Sequence, residues 1–169
     1  MAVKRKAPKL AARLVIADAG PLIALAKVKR LGVLKRLFGC VFITPEVAHE
    51  LQIGSTAPGA LLLTQALRGG TLALLPGNVK PAPHPFLDAG EASCLAAATP
   101  NSLLLIDERL GRREAAKFGI AVAGTAGVLC SAKARGFIKK VVPILEKMRA
   151  EGYYLGDAVI ELARRQAGE

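Results

Sequence analysis

Two aspartates stand where carboxylates could do chemistry together. Asp18 ends the apolar run 14–17, and Asp107 ends a second apolar run at residues 102–106. Each run is typical of a buried strand, and its carboxylate then lies at the C-terminal end of that strand. In open parallel sheets this is the end at which ligands bind. We therefore asked which other acidic residues reach the same edge.

Two glutamates in early helical turns are the further candidates. Glu50 lies in a short helix that Thr44 and Pro45 begin, at the edge of the buried face of that helix. Glu91 follows Asp88 by three residues, which is the spacing of a capping box. Glu91 therefore has two alternative roles, capping its own helix or joining the two aspartates.

Four carboxylates in one crevice repel one another unless a cation lies between them. A set of oxygen ligands without His or Cys favours Mg²⁺ or Mn²⁺ over zinc. Such an ion polarises a phosphodiester and lowers the pKa of bound water, which is the chemistry of a metal-dependent nuclease. The four acids thus predict hydrolysis of nucleic acid.

The charge balance agrees with a polyanionic substrate. The 169-residue chain has 24 Lys and Arg against 13 Asp and Glu, a net charge of +11. Without the four candidate acids, 24 basic residues stand against 9 acidic ones. A basic surface around an acidic site attracts the nucleic-acid backbone. Arg109, Arg112 and Arg113 are candidate phosphate contacts, and a solvated basic turn is the alternative.

The elements that must position these residues alternate along the chain. Strands are predicted at 14–17, 41–43, 71–75, 102–106 and 120–123, with helices between them and a helical tail from about residue 142. One long helix is expected from Pro21 to Phe38. This alternation predicts an α/β fold with a parallel sheet, whose right-handed crossovers put all strand C-termini at one edge.

Composition and termini bound the remaining possibilities. A chain of this length, 52% hydrophobic, suits one domain over residues 13–169, preceded by a basic N-terminal arm at 1–12 that could touch phosphates. Asp18 and Pro21 interrupt the first apolar run, so neither secretion nor membrane insertion is expected. Three separated cysteines, Cys40, Cys94 and Cys130, favour reduced core thiols and a cytoplasmic location.

Four motifs in order carry a resemblance to a known family. They are Asp-x-x-Pro-Leu-Ile-Ala-Leu from Asp18, Pro-Glu-Val-x-x-Glu-Leu from Pro45, Asp-x-Gly-Glu-Ala from Asp88, and Leu-Leu-Ile-Asp-Glu-Arg-x-Gly-Arg-Arg from Leu104. The chain resembles the PIN-domain superfamily from about residue 14 to about residue 165. It is most similar to the prokaryotic PIN-like branch once catalogued only as a domain of unknown function.

The resemblance implies a three-layer α/β/α sandwich and a ribonuclease that needs Mg²⁺ or Mn²⁺ to cleave single-stranded RNA, often as the toxin of a toxin–antitoxin pair. Asp18, Glu50, Glu91 and Asp107 match the acidic quartet of the family. Asp18 and Asp107 would be the firmest metal ligands, Glu91 would bind the metal directly or through water, and Glu50 would orient that water from farther out. Thr125 matches a position that often approaches the site and the substrate.

Two positions depart from the pattern of the family. Many members have Ser, Thr or Asn two residues after the first aspartate, whereas this chain has Gly20. One polar contact to metal or substrate is therefore missing. The third acid is Glu91 instead of Asp, and its longer side chain changes the reach of the ligand.

Other functions remain alternatives. A non-catalytic nucleic-acid-binding protein would use the basic surface alone and would not need Asp18. An aspartyl-phosphate enzyme would need a second Asp at position 20, and a dinucleotide-binding fold would need more glycines there. The apolar face of the helices after Val142 suggests a surface for a homodimer or an antitoxin protein. Tyr153 and Tyr154 are expected to pack against the core.

Overall fold

The computed structural model describes residues 13–57, 59–77, 80–81 and 83–169. The predicted basic arm at 1–12 lies outside them. Five strands form one parallel sheet in the order β3-β2-β1-β4-β5. They are β1 (Leu14–Ala17), β2 (Val41–Ile43), β3 (Leu72–Leu74), β4 (Ser102–Leu105) and β5 (Ala121–Ala123).

Helices flank this sheet and complete the three-layer α/β/α sandwich. They are α1 (Ala19–Lys27), α2 (Gly32–Phe38), α3 (Pro45–Glu50), α4 (Ala60–Arg68), α5 (Ala89–Ala97), α6 (Arg109–Lys117), α7 (Thr125–Ala134), α8 (Val142–Ala150) and α9 (Asp157–Ala167). The predicted fold class is confirmed, and the five strands lie within one or two residues of their predicted positions.

The two central strands decide where the acids meet. Ala17 of β1 lies opposite Leu105 of β4, and the backbone amide of Asp18 donates to the carbonyl of Leu105 at 2.9 Å. Neighbouring parallel strands in register end at the same edge of the sheet. Asp18 and Asp107 therefore leave the sheet side by side.

Aliphatic side chains between the layers hold this arrangement in place. Ile16, Leu25, Leu104 and Leu129 are fully buried, and they belong to one continuous hydrophobic core. Burying a side chain of this size stabilises a fold by roughly 1.5–3 kcal/mol. The strands that deliver the aspartates are thus among the most firmly packed parts of the chain.

The predicted helix from Pro21 to Phe38 is two helices. The apolar spacing continues across the break, but α1 ends at Lys27, and the Arg30 amide donates to the Leu25 carbonyl at 2.8 Å. This bond closes the helix C-terminus in the manner of a Schellman motif. It requires a left-handed residue, which here is Lys29 with φ 57° instead of the usual glycine. The sequence therefore lacks the normal stop signal.

The C-terminal helices belong to the core more than their sequence indicated. Leu145 and Met148 of α8 are fully buried, and Ile160 of α9 is 4% exposed. Most of the apolar face that suggested a partner surface is therefore covered by the chain itself, while Val159 and Leu162 stay exposed.

The three cysteines, expected to be core thiols, differ in burial, and Cys94 and Cys130 belong to the core or pack against it. Cys94 is buried, Cys40 and Cys130 are half-buried, and all three are free thiols. Among the described helices, none combines the length and the apolar character that crossing a lipid bilayer requires.

Candidate active site

Asp107 is held by three hydrogen-bond donors. The Thr125 backbone amide donates to Oδ1 at 2.7 Å, and the Thr125 hydroxyl donates to Oδ2 at 2.5 Å. The Tyr153 hydroxyl donates to the same Oδ2, also at 2.5 Å. A carboxylate that accepts several short bonds has a fixed orientation, and bonds to a charged acceptor are the stronger ones. Asp107 is therefore pre-positioned by the protein.

Asp18 is buried with one oxygen left free. It is 7% exposed at the start of α1, and its Oδ1 has no hydrogen-bond partner within the described residues. Glu46 Oε2 is the other carboxylate oxygen in this part of the chain that is buried without a partner. Burial, with smaller effects of the Asp88 and Asp107 charges, raises the pKa of Asp18 to about 6, against the opposing pull of the Ala19 amide.

Three carboxylates surround the position of Gly90. A Cβ at Gly90 would lie 2.7 Å from Glu50 Oε2, 3.3 Å from Asp88 Oδ1 and 3.5 Å from Asp18 Oδ1. Glu50 is the exposed member of this group, and its pKa is raised by partial desolvation and then by the charges of Asp18 and Asp88. The helix can bring these oxygens so close to its backbone because Gly90 has no side chain.

Asp88 is a member of the site that the sequence analysis did not identify. It was interpreted only as the N-cap of α5, and it does cap the helix, because its Oδ1 accepts the Glu91 amide at 2.8 Å. Its charge also contributes to the raised pKa values of Asp18, Glu50 and Glu91. The signal available in the sequence was a second acid in the Asp-x-Gly-Glu motif.

Glu91 fills both of its alternative roles at once. The capping box is complete, since the Asp88 amide donates to Glu91 Oε2 at 3.2 Å. The other oxygen, Oε1, lies 3.5 Å from the point where a Cβ of Gly111 would stand. Burial is the main cause that raises the pKa of Glu91 to about 7, and the charges of Asp88, Asp18 and Glu108 add to it. Glu91 is thus both a helix cap and a member of the cluster of acids at this edge of the sheet. We call this cluster, which consists of Asp18, Glu50, Asp88, Glu91 and Asp107, the acidic edge.

Buried polar contacts tie the two glutamate-bearing helices together. Thr44 caps α3 by accepting the Val47 amide at 3.2 Å, as predicted, and its hydroxyl lies 2.6 Å from that of Ser93 in α5. The Ser93 hydroxyl in turn lies 2.7 Å from the Gly90 carbonyl. These contacts fix the spacing of α3 and α5, and with it the approach of Glu50 to Gly90 and Asp88.

A groove of about 830 Å³ opens from Asp107 between α7 and α9, and Arg109 and Arg112 are among its lining residues. A Cβ at Gly124 would lie 2.8 Å from Asp107 Oδ1 and 3.0 Å from Arg112 Nη1, so this guanidinium stands beside the acidic edge. Arg113 is exposed and lies near Glu114, whose pKa is lowered first by Lys117 and to a smaller extent by Arg113. The structure therefore brings Arg109 and Arg112 to the groove together.

Thr125 reaches the site as expected, but its partner is Asp107. The residue is fully buried, and both its hydroxyl and its amide already donate to that carboxylate. Tyr153 was expected to pack against the core with Tyr154. It does pack there in part, yet its hydroxyl ends at Asp107, and Tyr154 is 92% exposed. Nothing in the local sequence distinguishes the two tyrosines.

The donor set fits a hard divalent cation. Asp18, Asp107, Glu50, Glu91 and Asp88 offer oxygen alone, the chemistry that Mg²⁺ and Mn²⁺ prefer. Asp18 Oδ1, buried among like charges and free of hydrogen bonds, is an atom that a cation would satisfy. In the described part of the chain, no group of three or more His, Cys, Asp or Glu side chains is already arranged to hold a metal. The side chains would therefore have to close in on an ion.

Comparison with known proteins agrees with the fold. Neither the curated proteins nor the solved structures contain a match to this chain. A sequence profile described as a PIN domain matches residues 14–169, which is nearly the whole chain and includes all five strands and all the acids discussed above. The chain belongs to the PIN-domain family.

Proposed function

We propose that this protein is a Mg²⁺- or Mn²⁺-dependent endoribonuclease that hydrolyses phosphodiester bonds of single-stranded RNA. PIN domains are generally nucleases that use divalent metal ions. The observation that carries the proposal is the free, buried Oδ1 of Asp18 among the carboxylates at the strand edge. A bound cation would compensate the charge of such a group, which otherwise has to take up a proton as its pKa rises.

The acidic residues would divide the work between binding the ion and orienting water. Asp18, Asp107 and Glu91 would hold the metal. The ion, when bound, polarises the scissile phosphate and lowers the pKa of a bound water. Glu50 is the exposed acid beside Asp18, and its carboxylate would accept a hydrogen bond from the attacking water and orient it. Asp88 would add negative charge and keep Glu91 in place through the capping box.

Basic residues on α6 would hold the RNA backbone. Arg109 and Arg112 line the groove that begins at Asp107, and Arg113 follows on the same helix. Guanidinium groups bind phosphate oxygens with two donors at once. With an aromatic content of 4%, the chain has few rings on which bases could stack. Recognition of RNA would therefore depend mainly on its phosphates.

The decisive experiment is Mn²⁺-dependent cleavage of a mixed single-stranded RNA by the wild type, Asp18→Asn and Asp107→Asn. Asp157→Asn is the matched control, because Asp157 is an exposed acid at the start of α9 that is paired with Arg149. We expect cleavage by the wild type and the control, abolition by chelation, and a loss of more than about a hundredfold in the other two variants. Equal cleavage by all four proteins would refute the proposed site.

A non-catalytic nucleic-acid-binding protein is the competing function, and the net charge of +11 favours it. It predicts that the wild type retains RNA on a filter without cutting it, and that Asp18→Asn retains RNA equally well. Cleavage that depends on both Mn²⁺ and Asp18 distinguishes the nuclease from this alternative.

The biological setting extends the same proposal. We propose that the protein acts on cytoplasmic RNA as the toxin of a toxin–antitoxin pair, with an antitoxin protein as its inhibitor. Induction of the wild type should then arrest growth, and induction of Asp107→Asn should not. A homodimer is proposed on the exposed apolar residues of α9, Val159 and Leu162, which line the same groove as Arg109 and Arg112, so the dimer would compete with RNA for this face. Sedimentation of the protein at micromolar concentration tests this, and a monomer contradicts it.

A further inference from the structure

The segment between α8 and α9 returns to the acidic edge. Its anchor is the Tyr153 amide, which donates to the Met148 carbonyl at 3.0 Å. The ring is packed against the core, and the hydroxyl reaches Asp107 Oδ2, 46 residues away in the sequence. The adjacent Tyr154 is 92% exposed and has no part in this contact. Tyr153 of this connection thus enters the site, while Leu155 of the same connection is buried in the core.

The Tyr153 hydroxyl lies in the space that Gly20 leaves open. A Cβ at position 20 would stand 3.4 Å from Tyr153 Oη and 3.7 Å from Asp18 Oδ2. The same hydroxyl donates to Asp107. The hydroxyl therefore bonds to Asp107 and lies within contact distance of the point where a side chain at position 20 would project.

We propose that Tyr153 is a positioning residue, which fixes the Asp107 carboxylate for metal binding and supplies from the C-terminal segment the hydroxyl that position 20 lacks. This inference rests on the proposed metal-dependent function. Hydrogen-bond donors to a metal ligand hold that ligand in its binding orientation, and their loss typically weakens the metal site by about 10–100-fold.

The first test is the affinity of the metal-free protein for Mn²⁺, measured by calorimetry without RNA for the wild type and for Tyr153→Phe. The Phe ring preserves the packing, and Thr125 still provides two donors to Asp107. We expect the Mn²⁺ dissociation constant to rise about tenfold or more. RNA cleavage should show a similar fall in kcat with an unchanged KM. Tyr154→Phe, the same change one residue later, should leave the Mn²⁺ dissociation constant at the wild-type level.

The second test is a double-mutant cycle between positions 20 and 153. Gly20→Ser should change Mn²⁺ binding little in the wild type, because a Cβ at position 20 would stand at ordinary contact distance, 3.4 Å, from Tyr153 Oη, which already donates to Asp107. In Tyr153→Phe the space is vacated, and the same change should restore part of the lost affinity. An identical effect of Gly20→Ser in both backgrounds would show that the two positions are independent, and would overturn this part of the inference.

Thermal unfolding distinguishes a positioning role of Tyr153 from a role in the stability of the fold. If Tyr153→Phe unfolds at a much lower temperature and Gly20→Ser in that background does not restore Mn²⁺ affinity, Tyr153 is structural and the inference fails. Unchanged or tighter Mn²⁺ binding in Tyr153→Phe overturns it as well. A wild type that binds Mn²⁺ but does not cleave RNA would refute the proposed function. The role of Tyr153 could still be tested in that case by the calorimetric Mn²⁺ affinity.

Discussion

The two strand-end aspartates, which resemble each other in sequence, are held in opposite ways. Asp107 accepts three short hydrogen bonds from Thr125 and Tyr153, so both of its oxygens have partners. Asp18 is more deeply buried, and its Oδ1 has no partner within the described residues while Glu50 and Asp88 crowd the same space. One carboxylate is satisfied by the protein, and the other is not.

This difference divides the edge into a rigid side and an unsatisfied side. On the Asp107 side, the orientation of the ligand is fixed before any ion arrives. On the Asp18 side, burial and then nearby like charges oppose ionisation, and a bound cation would offset both. A metal ion bound at this edge would meet one preoriented ligand, Asp107, and one carboxylate without a compensating partner, Asp18.

The contrast between the two aspartates is tested most strongly by replacing each with Asn and measuring the free energy of unfolding. Asp107→Asn places an amide donor among three donors and leaves at least one unpaired, which should lower the free energy of unfolding by about 1–3 kcal/mol. Asp18→Asn removes a buried charge and offers an amide to the Glu50 and Asp88 carboxylates. We expect it to raise the free energy of unfolding of the metal-free protein by about 1 kcal/mol at pH 8. Denaturant unfolding at this pH, with Asp157→Asn as control, checks both signs.

The pH dependence of stability should follow the unsatisfied side. The pKa values of Asp18 and Glu91 are raised from 3.8 and 4.5 to about 6 and about 7 in the folded protein. The folded state therefore binds more protons than the unfolded state, and stability falls as the pH rises through this window, from about pH 4 to about pH 7. We expect a decrease of several kcal/mol for the metal-free protein, because a shift of one pKa unit corresponds to about 1.4 kcal/mol.

Added Mn²⁺ and two variants test whether the pH dependence of stability comes from the acidic edge. Saturating Mn²⁺ should flatten or reverse it, because the ion stabilises the ionised carboxylates. Asp18→Asn should reduce the slope, whereas Asp157→Asn should leave it unchanged. A metal-free wild type that is equally stable at pH 5 and pH 8 would contradict the raised pKa values of buried Asp18 and Glu91.

Alanine substitutions at two glycines test whether Asp107 is held more rigidly than Glu50. In Gly124→Ala the new Cβ would lie 2.8 Å from Asp107 Oδ1, which its three donors hold in place. We expect a loss of stability of about 1–2 kcal/mol and a clear fall in cleavage. In Gly90→Ala the closest atom is Glu50 Oε2 at 2.7 Å, the end of an exposed side chain that can move. The change in stability should stay below about 1 kcal/mol, because alanine also favours helix α5. Equal losses in both variants would refute the distinction.

The smallest expected effect is on RNA binding, and it concerns Arg112, which lies beside Asp107. Arg112→Ala should weaken RNA binding a few-fold and reduce the slope of log affinity against log salt by about 1, as expected for one phosphate contact. Arg68→Ala, at the far end of α4, removes the same charge away from the groove. Filter binding over a range of salt concentrations checks the pair. The same slope for both variants would mean that Arg112 contributes only net charge.

Much of the architecture was predictable because it depends on local patterns. The apolar runs that end on Asp18 and Asp107 specify strands, and the spacing of apolar residues specifies the intervening helices. Since the C-termini of parallel strands share an edge, the sequence alone predicts that these two acids lie close together. The one clear error, a single helix over residues 21–38, arose because Lys29 adopts a left-handed conformation that usually marks a glycine.

The sequence by itself therefore determined the fold class, the family and the edge of the sheet at which the acids gather. Only the tertiary structure decided which groups each carboxylate meets: Tyr153 and Thr125 at Asp107, and Asp88 and Glu50 at Asp18. Periodicity fixes the direction of a side chain within its own element. Contacts between elements depend on how the layers pack, and the hydroxyl of Tyr153 comes from a connection 46 residues beyond its acceptor.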